Sequence, residues 1–245
     1  MSQEESPQLA GHAMKRTVGA VLELSGATLL QEGAALPPLP LTMRLMPGEC
    51  MVIETRDMGR ATMFADLCAG MLDLRAGTVR FLGLDWSALG DRRANALRGR
   101  IGRITRRPNW SGLFGAHMQM MLKELHHTNR SIEDLTAEAV RLGERFGLPG
   151  IPVDAPGRLS DADLARMTCV RGFLGKPRLL LLEDPLETTA VDLSTPFLES
   201  LTEARDRGAS VIWFGRTSST WREYRRAVTS QWRLADDGLL TVRIR

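Results

Sequence analysis

The segment Met46–Gly83, MPGECMVIETRDMGRATMFADLCAGMLDLRAGTVRFLG, organises the rest of the chain. It opens on Pro47-Gly48, a strong turn signal, and runs into a short apolar strand, Cys50–Ile53. After a short loop, Thr62–Leu72 sets Phe64, Leu67, Cys68, Met71 and Leu72 at helical spacing. A glycine-marked turn then leads into a second strand, Thr78–Leu82. Strand, loop and helix in this order make a frame in which backbone N–H groups and a helix N-terminus cradle phosphates. The side chains that would grip a phosphate are missing from it.

At 245 residues the chain is long enough for a sizeable core, in one large domain or a domain with a subdomain. Apolar residues at 43% and charged residues at 25% are ordinary globular composition and argue against wholesale disorder. A formal net charge of +3 is too small to argue for a nucleic-acid partner, which would need a basic stripe. Cys50, Cys68 and Cys169 stand singly in apolar surroundings with no CxxC pair, as buried free thiols of a reducing compartment do. His12, His117, His126 and His127 lack the spacing of a cluster, so no metal site is expected. No apolar run approaches the ~18–20 residues of a membrane span, and the N-terminus is polar. A cytoplasmic protein is expected, with any membrane role coming through a partner.

Residues 1–19 have no periodicity and read as a flexible extension. Ala20–Leu24 alternates as a short strand, Gln31–Pro40 is a loop, and Leu41–Leu45 is a second alternating strand. Leu41–Leu45 and Cys50–Ile53, turned at Pro47-Gly48, predict a small antiparallel sheet beside the central strand. Seven arginines (Arg92, Arg93, Arg98, Arg100, Arg103, Arg106 and Arg107) lie between Asp91 and Arg107. They read either as a docking surface for an acidic partner or lipid headgroups, or as a solvated helix followed by a polar strand. Gly115–Leu148 is helical, with an apolar patch at Met118, Met120, Met121, Leu122 and Leu125. Ser131 with Asp134 caps a helix that runs through Phe146. Beyond the loop Pro149–Gly157 come a helix (Leu159–Phe173), a strand of leucines (Arg178–Leu182), a helix (Thr195–Arg207) and a strand (Ser210–Phe214). Gln231–Arg245 makes two short strands turned at Asp236-Asp237-Gly238. This alternation predicts an α/β fold with a mostly parallel sheet, a small antiparallel β subdomain and a helical subdomain.

Six stretches fall in order against these strands: Glu54–Thr62 (ETRDMGRAT), Arg100–Trp110 (RIGRITRRPNW), Leu159–Asp163 (LSDAD), Leu179–Pro185 (LLLLEDP), Glu187–Ala190 (ETTA) and Val211–Thr217 (VIWFGRT). Laid on GxxGxGK[ST], the Q-loop, LSGGQ, LLLLDEP, the D-loop and VIVVTHD, the series resembles the ATP-binding cassette (ABC) ATPases over about residues 20–240. The resemblance implies a P-loop NTPase fold. Its RecA-like core with the antiparallel β subdomain takes residues 20–104 and 170–245, and its helical subdomain residues 105–169.

Every motif is altered where the family touches nucleotide, metal or water. In the degenerate Walker A loop, Glu54 and Asp57 replace glycines, which costs backbone freedom and sets carboxylates beside a polyanion site. Gly59 survives and supports a close turn, with Thr62 after it. Arg60 replaces the phosphate-binding lysine, and Ala61 the hydroxyl that holds Mg²⁺. Arg106 stands for the Q-loop glutamine. In the signature, Leu159 and Ser160 are kept, but Asp161, Ala162 and Asp163 replace GGQ; the acids suit a helix cap and repel phosphate. Glu183 takes the place of the Mg²⁺-binding aspartate, and Asp184, one methylene shorter, that of the general-base glutamate. Arg216 replaces the switch histidine. Leu30 and Gln31 lie where an aromatic would stack on adenine. A positioned base alone is worth ~10²–10⁴-fold in rate, so losses on this scale imply a pseudo-ATPase with no cofactor. The alternative is a divergent ATPase that uses ATP and Mg²⁺ through Arg60, Glu183 and Asp184 in new roles.

In the family each nucleotide is sandwiched between one subunit's P-loop and the other's signature. This chain is altered on both sides, so as a homodimer it has no intact site and as a heterodimer it spoils both. The resemblance implies a peripheral subunit held on the inner face of the plasma membrane by an integral-membrane permease. Leu122–Thr128 (LKELHHT) looks like the PLREHT stretch of Mla/Mce-type lipid-transport ATPases, and Ala155–Ser160 (APGRLS) is similar to their PSELS. A permease of that kind would lodge its coupling helix near Met118–Leu122, unless those side chains simply pack the helical subdomain. A soluble inhibitor of an active ABC subunit is a third reading.

Overall fold

The computed structural model describes residues 19–30, 35–106, 108–187 and 190–242. Residues 1–18 of the expected extension, together with Gln31, Arg107, Thr188 and Thr189, lie outside the described residues. Strands β1 (Leu22–Leu29), β2 (Leu41–Leu45), β4 (Leu74–Phe81) and β5 (Leu84–Asp85) form an antiparallel sheet in the order β2-β1-β4-β5. A six-stranded sheet joins β3 (Cys50–Glu54), β6 (Ile101–Ile104), β7 (Leu179–Glu183), β8 (Ser210–Gly215), β9 (Ser230–Ala235) and β10 (Gly238–Val242) in the order β10-β9-β3-β8-β7-β6. It is parallel except for the β9–β10 hairpin. The turn at Pro47-Gly48 therefore does not close a hairpin. It carries the chain from one sheet to the other, and β2 pairs with β1.

Among the described residues, six α-helices complete the fold: α1 (Met58–Cys68), α2 (Asp91–Arg98), α3 (Ala116–His127), α4 (Ile132–Arg145), α5 (Asp161–Phe173) and α6 (Ser194–Asp206). Ser131 caps α4 by accepting from the Asp134 N–H at 3.0 Å, as its sequence spacing predicts. Successive side chains of a strand point to opposite faces, and the core divides on that rule. Cys50, Val52, Leu180, Leu182, Val211 and Trp213 face a cluster with α3 to α6. Met51, Ile53, Leu179, Leu181, Ile212 and Phe214 face α1 and the antiparallel sheet. Strands covered on both sides must be apolar throughout, which is why β7 and β8 read as continuous hydrophobic runs. Each such side chain contributes ~1.5–3 kcal/mol on burial. At Gly102 in β6, a Cβ would lie 2.1 Å from the Gly172 carbonyl, so α5 rests directly on that strand.

Strand register positions the site. Glu54 pairs with Gly215 across β3 and β8, and Glu183 with Phe214 across β7 and β8. The C-terminal ends of the parallel strands thus bring Thr55, Glu183, Asp184 and Arg216 to one edge, where open α/β sheets place their ligands.

Candidate functional site

Glu54 ends β3 and Met58 begins α1, leaving only Thr55, Arg56 and Asp57 between them. A link of three residues is a tight β–α connection, too short to wrap a phosphate in successive N–H groups. Gly59, which the sequence suggests as a turn glycine, lies instead in the first turn of α1 and does not adopt positive φ. Its missing side chain serves another contact, because a Cβ there would meet Asp57 Oδ1 at 3.0 Å. Asp57 is the N-cap of α1 and accepts from the Gly59 N–H at 2.8 Å. Neither Glu54 nor Asp57 has left-handed backbone, so the two replaced glycines leave no strain. The Arg60 guanidinium is bound by Asp236 of the β9–β10 turn, with Asp57 Oδ2 3.8 Å from its Nε. Ala61 is fully buried.

Behind this cap lies a charge network that the sequence does not announce. Glu183, only 3% exposed, accepts the Thr62 hydroxyl on Oε2 at 2.6 Å. On Oε1 it accepts Arg103 Nε at 3.2 Å and an Arg103 terminal nitrogen at 3.0 Å. Arg103 also pairs with Asp66 on α1 and donates to the Thr62 carbonyl at 3.2 Å. Burial works against the Arg103 charge, but the hydrogen bond to Asp66 and the charges of Glu183 and Asp66 outweigh it and raise its pKa. The register explains the encounter. Arg103 pairs with Leu181 across β6 and β7, so Arg103, Leu181 and Glu183 share the α1 face.

A second network centres on Glu187. Arg106 reaches it with two bonds, Nε to Oε2 at 2.6 Å and a terminal nitrogen to Oε1 at 3.0 Å, and Arg216 lies 3.6 Å from Oε1. Arg106 and Arg216 are thus tied to one carboxylate. Hydrogen bonding to Arg106 holds Glu187 below the usual carboxylate range. Beside it, Asp184 has φ of 42°, and its buried Oδ1 has no hydrogen-bond partner. Burial, with the neighbouring Glu187 charge, pushes its carboxyl up to about 6 against the pull of Arg216 and Arg106. A cleft of about 730 Å³ and another of about 390 Å³ both reach Asp184 and Glu187.

At the signature position, Ser160 caps α5 through the Asp163 N–H at 3.1 Å. Leu159 and Ala162 pack against the core. Asp161 is exposed, while Asp163 is held by Arg166 at 3.1 Å, which in turn binds Asp192 at 2.8 Å. Met120 and Met121 are core residues and Met118 packs against them, so Leu122 is the exposed member of the expected docking patch. The six described arginines of the run divide as well. Arg92, Arg93 and Arg100 are exposed, whereas Arg98 binds the Ala69 and Gly70 carbonyls and Arg103 and Arg106 enter the site.

ATP and Mg²⁺ do not fit these residues as they stand. The α1 N-terminus already holds a carboxylate, Arg60 is paired, and the Thr62 carbonyl and Glu183 Oε1 close on the Arg103 guanidinium. Among the described residues, no group of three or more His, Cys, Asp or Glu side chains could hold a metal ion.

The fold superposes on a solved ATP-binding subunit of an ABC transporter with a TM-score of 0.74, covering 91% of this chain and 90% of that one at 16% identity. The chain has the ABC ATPase fold. An ATP-binding cassette seen as a dimer with ADP and Pi after hydrolysis matches equally well, TM-score 0.74 at 16% identity, over 91% of this chain and all of that one. No protein-family model matches the chain. Its homologues are ABC transporter ATP-binding subunits. It is 26% identical over 151 residues to the lipoprotein-releasing system ATP-binding protein LolD of Pseudomonas syringae, 59% of this chain and 64% of LolD. It is 31% identical over 148 residues to the molybdate/tungstate import ATP-binding protein WtpC of Archaeoglobus fulgidus, 60% of this chain and 56% of WtpC. The match thus spans less than two thirds of the curated relatives' own length. Among the described residues, no helix is long and apolar enough to cross a membrane.

Proposed function

We propose that this ABC-fold chain is a non-catalytic subunit of a membrane transport complex, binding a permease and a second ABC subunit or another copy of itself. The observation that carries the reading is the N-terminus of α1. A three-residue link and the Asp57 cap stand where an ATPase needs an open loop of N–H donors. The divergent-ATPase alternative loses its means at the same place, since Arg60 and Glu183, two of its three residues, are engaged by neighbours.

Docking is expected on the outer side of the helical region. Leu122 is exposed there, and Leu113 (85% exposed) and Phe114 precede α3 with their side chains in solvent. The LolD relative and the Mla/Mce-like stretches favour a lipid or lipoprotein cargo, with the subunit peripheral on the inner membrane face. Co-purification from membranes tests the complex, and an integral-membrane permease should accompany the chain. A monomer that leaves the membrane fraction without one would count against it. Hydrolysis tests catalysis: Mg²⁺-dependent turnover abolished by Glu183→Ala would restore the divergent-ATPase reading.

A further inference from the structure

A buried carboxylate needs a partner, and Glu183 has three donors. The Thr62 hydroxyl takes one oxygen at 2.6 Å, and two Arg103 nitrogens take the other at 3.0 and 3.2 Å. The remaining face of that guanidinium is used by Asp66 and the Thr62 carbonyl. Two carboxylates and a carbonyl converge on one positive centre, with the Thr62 hydroxyl bound to Glu183 beside them, and such an oxygen set is one a hard divalent cation would attract. Here the positive centre is a side chain. The anion position repeats the pattern in the opposite sign, with the Asp57 carboxylate on the α1 N-terminus and Arg60 held by Asp57 and Asp236.

We propose that the site carries its own counter-ions. The Arg103 guanidinium is the resident cation of the Glu183, Asp66 and Thr62 oxygens, and it pins α1 to β6 and β7 permanently. The inference rests on the non-catalytic reading above and adds what replaced the metal. Contacts that a bound ion would make and release become fixed, so the ends of β3, β6 and β7 keep one arrangement relative to α1. Arginine suits the task because its fork holds two carboxylates at once, whereas lysine offers a single point charge.

The test uses the intact chain without nucleotide and Mn²⁺ as the probe, read by electron paramagnetic resonance and by thermal melting. The wild-type chain should bind no Mn²⁺ and melt at the same temperature with Mn²⁺ or with chelator. Arg103→Met should lower Tm by roughly 10 °C, since it leaves two carboxylates uncompensated in a partly buried site. Added Mn²⁺ should restore part of that loss and give a bound signal. Glu183→Gln placed in the Arg103→Met background should recover stability without metal and abolish the Mn²⁺ response. Mn²⁺ binding to the wild-type chain that Glu183→Gln removes would overturn the proposal, as would an Arg103→Met chain equal in Tm to wild type and indifferent to Mn²⁺. If Arg103→Met does not fold, the double variant decides. A folded pair supports the charge role, and an unfolded pair assigns Arg103 to packing and overturns it. ATP turnover plays no part in these readouts, so this inference and the non-catalytic reading can fail separately.

Discussion

Replacing Asp184 by asparagine should stabilise the folded chain at neutral pH and leave its stability unchanged in acid. Asp184 is buried, its Oδ1 is unpartnered, and its carboxyl sits at about 6 against an ordinary value of 3.8. The folded state therefore binds a proton more tightly than the unfolded state. Stability from that proton is full below about pH 4 and is lost as pH rises through 6. At about 1.4 kcal/mol per pH unit, the ionised carboxylate costs the native state up to about 3 kcal/mol at pH 7. Clefts on both sides admit water to the group, so we expect ~2 kcal/mol. Asparagine keeps the shape and tolerates the positive φ of this position, whereas alanine would add backbone strain. Urea unfolding of both proteins from pH 4 to 8 measures the difference. The variant's advantage should be present at pH 7 and above and shrink to ~0.5 kcal/mol or less by pH 4. A difference independent of pH, or a variant less stable at pH 7, would refute the argument that burial without a partner governs this carboxyl.

Asp57→Ala removes the α1 cap and should cost ~1 kcal/mol in denaturant unfolding. Glu187→Ala frees Arg106 and Arg216 in a half-exposed setting, so its cost should stay below ~1 kcal/mol and shrink with added salt. Gly102→Ala drives a methyl into the Gly172 carbonyl and should destabilise by ~1–3 kcal/mol or more, visible as a lowered Tm. Leu122→Arg should abolish permease co-purification with Tm unchanged, whereas Met120→Ala, fully buried, should cost ~2–5 kcal/mol by thermal or urea unfolding.

The framework of this fold is written plainly in the sequence because it obeys short-range rules. The leucines of β7 declare a strand covered on both faces, and Ser131 marks a helix start through a bond three residues away, whereas at α5 the cap is Ser160 and not the acids after it. The sheet to which a strand belongs is not a local property. Leu41–Leu45 and Cys50–Ile53 look like hairpin partners, yet hydrogen bonding to β1 separates them. The site was half legible for the same reason. Substituted positions such as Arg60, Glu183 and Arg216 are visible by their place in each motif. Their partners Asp236, Arg103 and Glu187 are set by register and by how the β9–β10 turn folds back. Arg103 is the instructive case. Within a run of arginines it looks solvated, and only pairing with β7 at Leu181 turns it beneath α1. Methionines at helical spacing were equally ambiguous, since the pattern names an apolar face without saying what covers it.

The β3–α1 link and the first turn of α1, from Glu54 to Thr62, should hold no nucleotide. Isothermal titration of the purified chain with millimolar ATP and Mg²⁺ tests it most directly. No saturable heat is expected, and none either for the chain in complex with its permease once the partner's own sites are subtracted. Saturable binding that Arg60→Ala removes would contradict it.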